Sequence, residues 1–426
     1  MLFPPLLRTA LSPARNLVFI RTMSTSPDLK PRYPALTPAE SGLEDGPLKL
    51  SPLILGAGVY GYDYNTSSTL ESDIPEQAIR LCFRYGINTL DTSPYYTTSE
   101  AVLGKVLPKL KDEFPRESYQ IITKIGRYGR TKADFDYSPE RVRSSLKRSM
   151  ELMGTDYIDG VYAHDVEFVS EQLEDAGEEG WKVGEDGKIR EDDLARWGLR
   201  DEDAATIRGP GDEKVLAAMK TLFELKKEGL VRAVGFSGYP LPTLLRLARL
   251  CQAHLEPLDI MQSYCHHTLQ NTTLSTYLPL FTKAGVKQVI SASPLSMGLL
   301  RSAASPPWHP ANPELQAATQ EAVKLASSKG AKLEDVALGF GFSSAKLPGT
   351  EGRDTPTVIG LSTPEEVHET MKVYQEIYRT EGQSRQGRAP GTGLGEAAKK
   401  QRELEKEVVE IFKRTKTENW GWAVGI

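Results

Sequence analysis

The 426-residue chain has only three cysteines, Cys82, Cys251 and Cys265, and no two of them form a C-x-x-C pair. That spacing suggests neither a disulfide framework nor a zinc site, and a reducing compartment is the default. No stretch approaches the roughly 18 consecutive apolar residues of a membrane-spanning helix, so no membrane partner is expected. An excess of one charge is also missing: 52 Lys and Arg stand against 57 Asp and Glu. The resulting net charge of -5 lacks the basic excess of a nucleic-acid binder. With 36 Gly and 28 Pro the composition is neither collagenous nor that of a disordered chain. What is present is apolar material, 39% of residues, enough for a full core.

Residues 1–27 carry Arg8, Arg15 and Arg21, several hydroxyls and no acid, the composition of a mitochondrial transit peptide. A flexible tail, or a start at Met23, reads equally from the same residues. Residues 1–49 are therefore set apart as an N-terminal tail. The expected location is cytoplasmic, or mitochondrial if residues 1–22 act as a transit signal.

From about residue 50, short β-rich runs alternate with amphipathic stretches of helical length. The runs are 53–55, 87–93, 119–125, 157–165, 232–237, 259–265, 287–295 and 355–360. Between them, PEQAIRLCFRYG, SPERVRSSLKRSMELMG, KVLAAMKTLFELKKEG and PEEVHETMKVYQEI have helix-start and helix-stop signals. Eight such units predict a (β/α)8 TIM barrel over residues 50–380, a fold that typically takes about 250 residues. An open doubly wound sheet is the alternative. Residues 168–213 form an acidic insertion after strand four, far longer than the usual connection of about 2 to 6 residues. They read as a solvated surface loop or as a partial lid. Residues 381–426 read as a Gly-rich linker followed by an amphipathic helix that packs back on the barrel.

The chemistry lies where polar residues end the apolar runs. Asp91 ends INTL, Lys124 ends QIIT and His164 follows DGVYA, with Tyr96 on the loop beyond Asp91. In a barrel those ends converge on one face, where active sites are built. Alone, each has an ordinary structural reading: a helix cap, a satisfied polar side chain, a surface ring. Together they form an acid, an ammonium, a phenol and an imidazole. A buried Lys needs a partner, so Asp91 and Lys124 are expected to pair. An adjacent ammonium favours the phenolate of Tyr96, lowering its pKa from the ordinary value of about 10 toward the range useful for acid-base chemistry.

These residues and their order resemble the aldo-keto reductase superfamily over roughly residues 50–375. DTSPYYTTSEAVLGKVL is similar to its D-T-A-x-x-Y-G-x-S-E-x-x-L-G signature, TKIG to T-K-x-G, and YAHD to L-H-x-D. The resemblance implies that Tyr96 moves the proton, Lys124 tunes it, Asp91 holds Lys124 and His164 orients the reacting oxygen. It further implies cofactor contacts from Gly58, Ser237, Gln262, Ser293, Leu295, Gly298, Gly360, Ser362 and Glu366. Gly238 stands where the family's G-x-S-N segment has Asn, and Thr370 where an Asn often meets adenine. VIGLSTPEEV offers Glu366 where users of NADP place basic residues, which favours NAD over NADP by electrostatic repulsion.

Within the superfamily, DTSPYY, HDVEFV, SGYP, SYCHH and the IFKRTKTENWGW ending resemble the D-arabinose 1-dehydrogenase and L-galactose dehydrogenase group. That resemblance implies oxidation of an aldose at C1 to the lactone, with Tyr95 and His266 or His267 as candidate sugar contacts. An NADPH-dependent aldehyde or ketone reductase is the nearest alternative, and a non-catalytic nucleotide-binding redox sensor belongs to another class. Protein partners are not readable from the sequence. Cys265 beside two histidines suggests a metal, but no second ligand cluster is near, so none is expected. GAGVYG (56–61) satisfies G-x-G-x-x-G, yet no helix pattern begins inside it as a dinucleotide-binding βαβ unit requires.

Overall fold

The computed structural model describes residues 28–38, 46–171, 173, 189–343, 355–379 and 396–421. Its eight parallel strands close a barrel in sequence order. They are β1 (Leu53–Gly56), β2 (Thr89–Asp91), β3 (Gln120–Ile125), β4 (Ile158–His164), β5 (Val231–Gly238), β6 (Ile260–Tyr264), β7 (Gln288–Ala292) and β8 (Thr357–Ile359). Closure is made by Leu53, Ile54 and Leu55 of β1 in register with Thr357, Val358 and Ile359 of β8. Each strand arises from one of the eight expected runs, so the (β/α)8 barrel is the fold and the open sheet is not.

The barrel interior is a packed core, not a pore. Ile54, Ile122, Tyr162, Ala233, Ile260, Ile290 and Val358 fill it, and Leu48 and Leu50 join them from the segment before β1. Gln288 ties that segment down: its Oε1 accepts from the Leu48 N–H (3.1 Å) and its Nε2 donates to the Leu48 carbonyl (2.6 Å). At Gly235 the packing is so close that a Cβ would stand 1.6 Å from the Ile260 carbonyl oxygen, so no larger residue fits.

The outer ring comprises α1 (Ile74–Arg84), α2 (Ser99–Leu110), α3 (Pro139–Met153), α4 (Pro210–Lys227), α5 (Leu241–His254), α6 (Leu274–Lys283), α7 (Pro313–Ser328), α8 (Leu333–Phe342) and α9 (Pro364–Val373). Their start and stop chemistry is local. Pro139 opens α3 after Ser138, and Gly154 ends it in the left-handed conformation (φ 65°). The Thr363 hydroxyl accepts from the Glu366 N–H to cap α9. GAGVYG forms a 3-10 turn (Ala57–Tyr60) instead of opening a long helix.

Two additions decorate the barrel. The described part of the insertion lies along α5, with Trp197 and Leu199 buried and Arg249 donating to the Leu199 and Arg200 carbonyls. Asp212 and Arg246 form a buried two-bond ion pair there (2.6 and 3.0 Å). A further helix, α10 (Glu396–Arg414), buries Leu404, Val408, Ile411 and Phe412 against α7 and α8. The linker before it lies outside the described residues, as do residues 1–27 and most of the acidic run in the insertion. Beyond α10 the chain is stitched to the loop after β6, where Gln270 Nε2 donates to the carbonyls of Thr417 (2.7 Å) and Trp420 (3.0 Å). No helix among the described residues is long and apolar enough to cross a membrane.

Candidate active site

The C-terminal ends of β2, β3 and β4 bring Asp91, Lys124 and His164 together, and the turn after β2 adds Tyr96. Lys124 is fully buried, and its ammonium donates to Asp91 Oδ1 (2.6 Å) and to the Thr92 carbonyl (3.0 Å). Asp91 Oδ2 accepts from Gln262 Nε2 (3.0 Å), whose Oε1 accepts from the Ser237 hydroxyl (3.2 Å). A continuous relay Ser237–Gln262–Asp91–Lys124 therefore crosses the barrel mouth. It satisfies a buried ion pair that would otherwise be costly.

Tyr96 packs beneath Gly58, where a Cβ would already be in van der Waals contact with its ring (3.5 Å). The Lys124 ammonium lies over the ring face, 4.7 Å from the centroid. Burial, reinforced by the Asp91 and Asp165 carboxylates and opposed by Arg127, holds the phenol well above its ordinary value of 10. This differs from the expectation that Lys124 lowers it. The ammonium is engaged by Asp91, whose opposite charge cancels much of its field at the phenol, so desolvation dominates.

His164 sits beside Tyr96, its ring edge-on at 5.8 Å. Burial, with Lys124 and Arg127 nearby, keeps its pKa well below the ordinary 6.5, so the ring is neutral. Ser93 holds the ring through Nδ1. Its oxygen accepts the Tyr95 N–H (3.1 Å) and lies 3.1 Å from His164 Nδ1; with the hydroxyl proton turned to Nδ1, the ring proton is on Nε2.

A second polar group borders these residues and was not singled out from the sequence. Arg127, just beyond β3, pairs with Asp165, the residue after His164, and its guanidinium also donates to the Tyr95 hydroxyl (3.1 Å). Behind them Glu167 accepts from the Tyr239 N–H (2.8 Å), and burial with Asp165 pushes its carboxyl up to about 8. Glu167 bears on the Gly238 departure: a Cβ there would stand 2.4 Å from Glu167 Oε2, so an Asn would require the Glu167 carboxylate to move. The sequence signal was present in HDVEF, two acids immediately past a strand end.

The other expected cofactor residues lie on the β7 and β8 loops. Ser293, Ser296, Met297 and Gly298 all have positive φ (60°, 49°, 53° and 88°), a tight backbone wrap after β7. The Leu295 carbonyl accepts from Gly298 and Leu300 within it. Arg301, also missed from sequence, follows directly, and its buried Nε finds no partner among the described residues. Gly360 packs on Val59, Ser362 accepts from Asn65 Nδ2 (2.9 Å), and Glu366 accepts the Ser362 N–H (2.6 Å). Thr370 is buried on α9. His266 is held by Ser263 (2.7 Å) and stacks near Tyr239, whereas His267 lies against Phe340 of α8. Among the described residues no three His, Cys, Asp or Glu side chains cluster to hold a metal.

A closed parallel barrel with this strand-end set defines an oxidoreductase of aldo-keto reductase type, and similarity to known proteins agrees. The pattern of the Aldo/keto reductase family matches residues 52–383, and the chain belongs to that family. It is 34% identical over 337 residues to the D-arabinose 1-dehydrogenase of Saccharomyces cerevisiae, covering 78% of this chain and 85% of that protein. It is 33% identical over 332 residues to the L-galactose dehydrogenase of Arabidopsis thaliana, covering 78% and 86%. The solved structure of a glycerol dehydrogenase from Gluconobacter oxydans superposes with a TM-score of 0.52 at 19% identity, covering 88% of this chain and 96% of the other, a likeness of fold.

Proposed function

We propose that the protein oxidises an aldose at C1 to the lactone, with NAD as hydride acceptor. The observation that carries this reading is the pairing of a neutral His164, held through Nδ1 by Ser93, with Tyr96 at one mouth. The two sugar dehydrogenases similar over most of the chain support the choice of substrate class.

The donor set fits a nicotinamide dinucleotide. Ser237 and Gln262 each keep a hydrogen-bonding position for the carboxamide beside the Asp91–Lys124 pair. Ser293, Leu295 and Gly298 supply backbone for the pyrophosphate, and the Arg301 Nε–H, without a partner among the described residues, suits its charge. Gly360, Ser362 and Glu366 border the adenosine end, with Gly58 at the nicotinamide end. Glu366 already takes the N–H at the start of α9, the place where a 2′-phosphate would bind, which favours NAD over NADP.

The bound cofactor supplies the hydride acceptor. His164 donates from Nε2 to the C1 oxygen and orients it. Tyr96, as phenolate, accepts the proton of the C1 hydroxyl, the freed O–H electron pair forms the second C1–O bond, and the C1–H pair would leave as hydride. Because the phenol is held protonated, this direction should accelerate with rising pH as phenolate forms. The substrate is small, and neither nucleic acid nor a membrane enters the reading.

The test is the rise of reduced-nicotinamide absorbance with D-arabinose, L-galactose and L-fucose, with NAD and NADP in parallel. Turnover with an aldose and NAD supports the proposal. Silence with every sugar, together with consumption of NADPH by simple aldehydes, replaces it with a carbonyl reductase.

A further inference from the structure

Asp165 is held in the left-handed region (φ 53°) immediately after His164, where a non-glycine residue stores strain, and such strain concentrates at functional sites. Its backbone N–H donates to the Ser237 carbonyl (2.6 Å), which anchors the turn. The turn brings Asp165 Oδ2 to 3.6 Å from His164 Nε2, the nitrogen to which the proposed mechanism gives the reacting oxygen.

Arg127 reaches the same place from β3. Gly126 (φ 95°) turns the chain, and the guanidinium then lies over the Tyr95 ring at 3.9 Å while pairing with Asp165. Nε donates to the Gly129 carbonyl (3.2 Å), one N–H goes to Asp165 and one to the Tyr95 hydroxyl. Of the five N–H donors of an arginine, two remain without a partner among the described residues. Asp165 uses one carboxylate oxygen for Arg127, and the other, Oδ1, has no hydrogen-bond partner among the described residues. Tyr264, at the end of β6, lies close enough to feel both Asp165 and Glu167.

A nearly buried ion pair here is not explained by stability. Side-chain exposures of 12% and 5% mean that both charges lose most of their hydration, and an apolar pair of similar volume would serve a folded core as well or better. What the pair offers is chemistry: two free N–H donors beside a free carboxylate oxygen. Neighbouring hydroxyls of a ring present the complementary set, each being donor and acceptor at once. A pocket built for an apolar carbonyl compound would leave those groups unpaired, so the same pair also selects against such substrates.

Resting on the aldose reading above, we propose that Arg127 and Asp165 are specificity-determining residues that bind adjacent ring hydroxyls next to the carbon being oxidised. The test compares kcat/KM of the holoenzyme for its aldose and for 2-hydroxytetrahydropyran, which has the same hemiacetal carbon and no other hydroxyl. In Arg127→Met/Asp165→Asn, where no charge is stranded, the ratio of aldose to control should fall about 100-fold, two charge-assisted hydrogen bonds being lost. Arg127→Lys keeps the charge without the fork and should lower the ratio about tenfold, which covers the case in which the double variant fails to fold. A ratio that stays within about threefold of wild type in the folded variants overturns the proposal, and so does a parallel loss on both substrates.

Failure of the underlying reading is distinguishable. If wild type oxidises no aldose, sugar binding to the nicotinamide-loaded protein is followed by nicotinamide fluorescence. Saturable binding that the double variant loses keeps the hydroxyl-binding role, and no binding overturns both.

Discussion

At the ends of β2, β3 and β4, side chains hold one another: Lys124 on Asp91, Ser93 on His164, Arg127 on Asp165. Beyond β7 and at β8 the backbone holds the shape instead, through four residues of positive φ and the Ser362 N–H closed onto Glu366. The difference follows from the tasks proposed for the two regions. Moving a proton needs a donor and an acceptor fixed to within a few tenths of an ångström and neutral or charged as required, which only paired side chains provide. Holding a bound dinucleotide needs many modest contacts, which a turn of backbone provides at little cost in charge.

Substitutions sharpen that contrast. On the proton-moving side, Tyr96→Phe should lower turnover about 1,000-fold, the middle of the range for a general acid-base group, with nucleotide affinity retained by titration. Rates near wild type would remove Tyr96 from the chemistry. Lys124→Met leaves the Asp91 carboxylate buried without its cation and should cost about 3–5 kcal/mol in a denaturant titration. A cost below about 1 kcal/mol, the scale of an exposed pair, would show that solvent reaches the site.

The third test uses pH. Glu167 is raised from 4.5 to about 8 in the folded chain, so between those values the folded state retains a proton that the unfolded state has lost. Stability from this group is complete below about 4.5 and is lost as pH rises through about 8. Glu167→Gln should therefore gain in denaturant midpoint relative to wild type as pH climbs across that window. His266, lowered to about 3, titrates in the opposite sense but is common to both proteins. A constant difference between the two midpoints would contradict the shift.

The smallest expected effect lies on the backbone-built side. Glu366→Arg should shift the NADP to NAD preference about tenfold, equivalent to 1.4 kcal/mol. An unchanged preference would show that this residue does not face the ribose.

Much of the fold was legible because its signals are local. Alternation of apolar runs with helical stretches, and Gly or Pro at their borders, returned all eight strands. Asp91, Lys124 and His164 were legible for the same reason, each being a polar residue at the end of an apolar run, and Tyr96 was legible from the motif that follows Asp91. Arg127, Asp165 and Ser93 were not, because nothing in a sequence says that a residue two steps past β3 faces one just past β4. The phenol of Tyr96 was misjudged for a related reason. Adjacency of a lysine was visible, but the degree of burial and the commitment of that lysine to Asp91 were not.

The sequence by itself determined the number and order of βα units and which residue types stand at the strand ends, since both depend on periodicities a few residues long. Only the tertiary structure decided which of those ends meet. Ser93 reaches His164 across 71 positions, Lys124 reaches Asp91 across 33, and Gln262 reaches Asp91 across 171. Barrel closure sets these pairs, and it is also what dries the site enough to shift Tyr96, His164 and Glu167 from their ordinary protonation. Charge and proton position depend on how much water is excluded, and that quantity exists only once β8 has paired with β1.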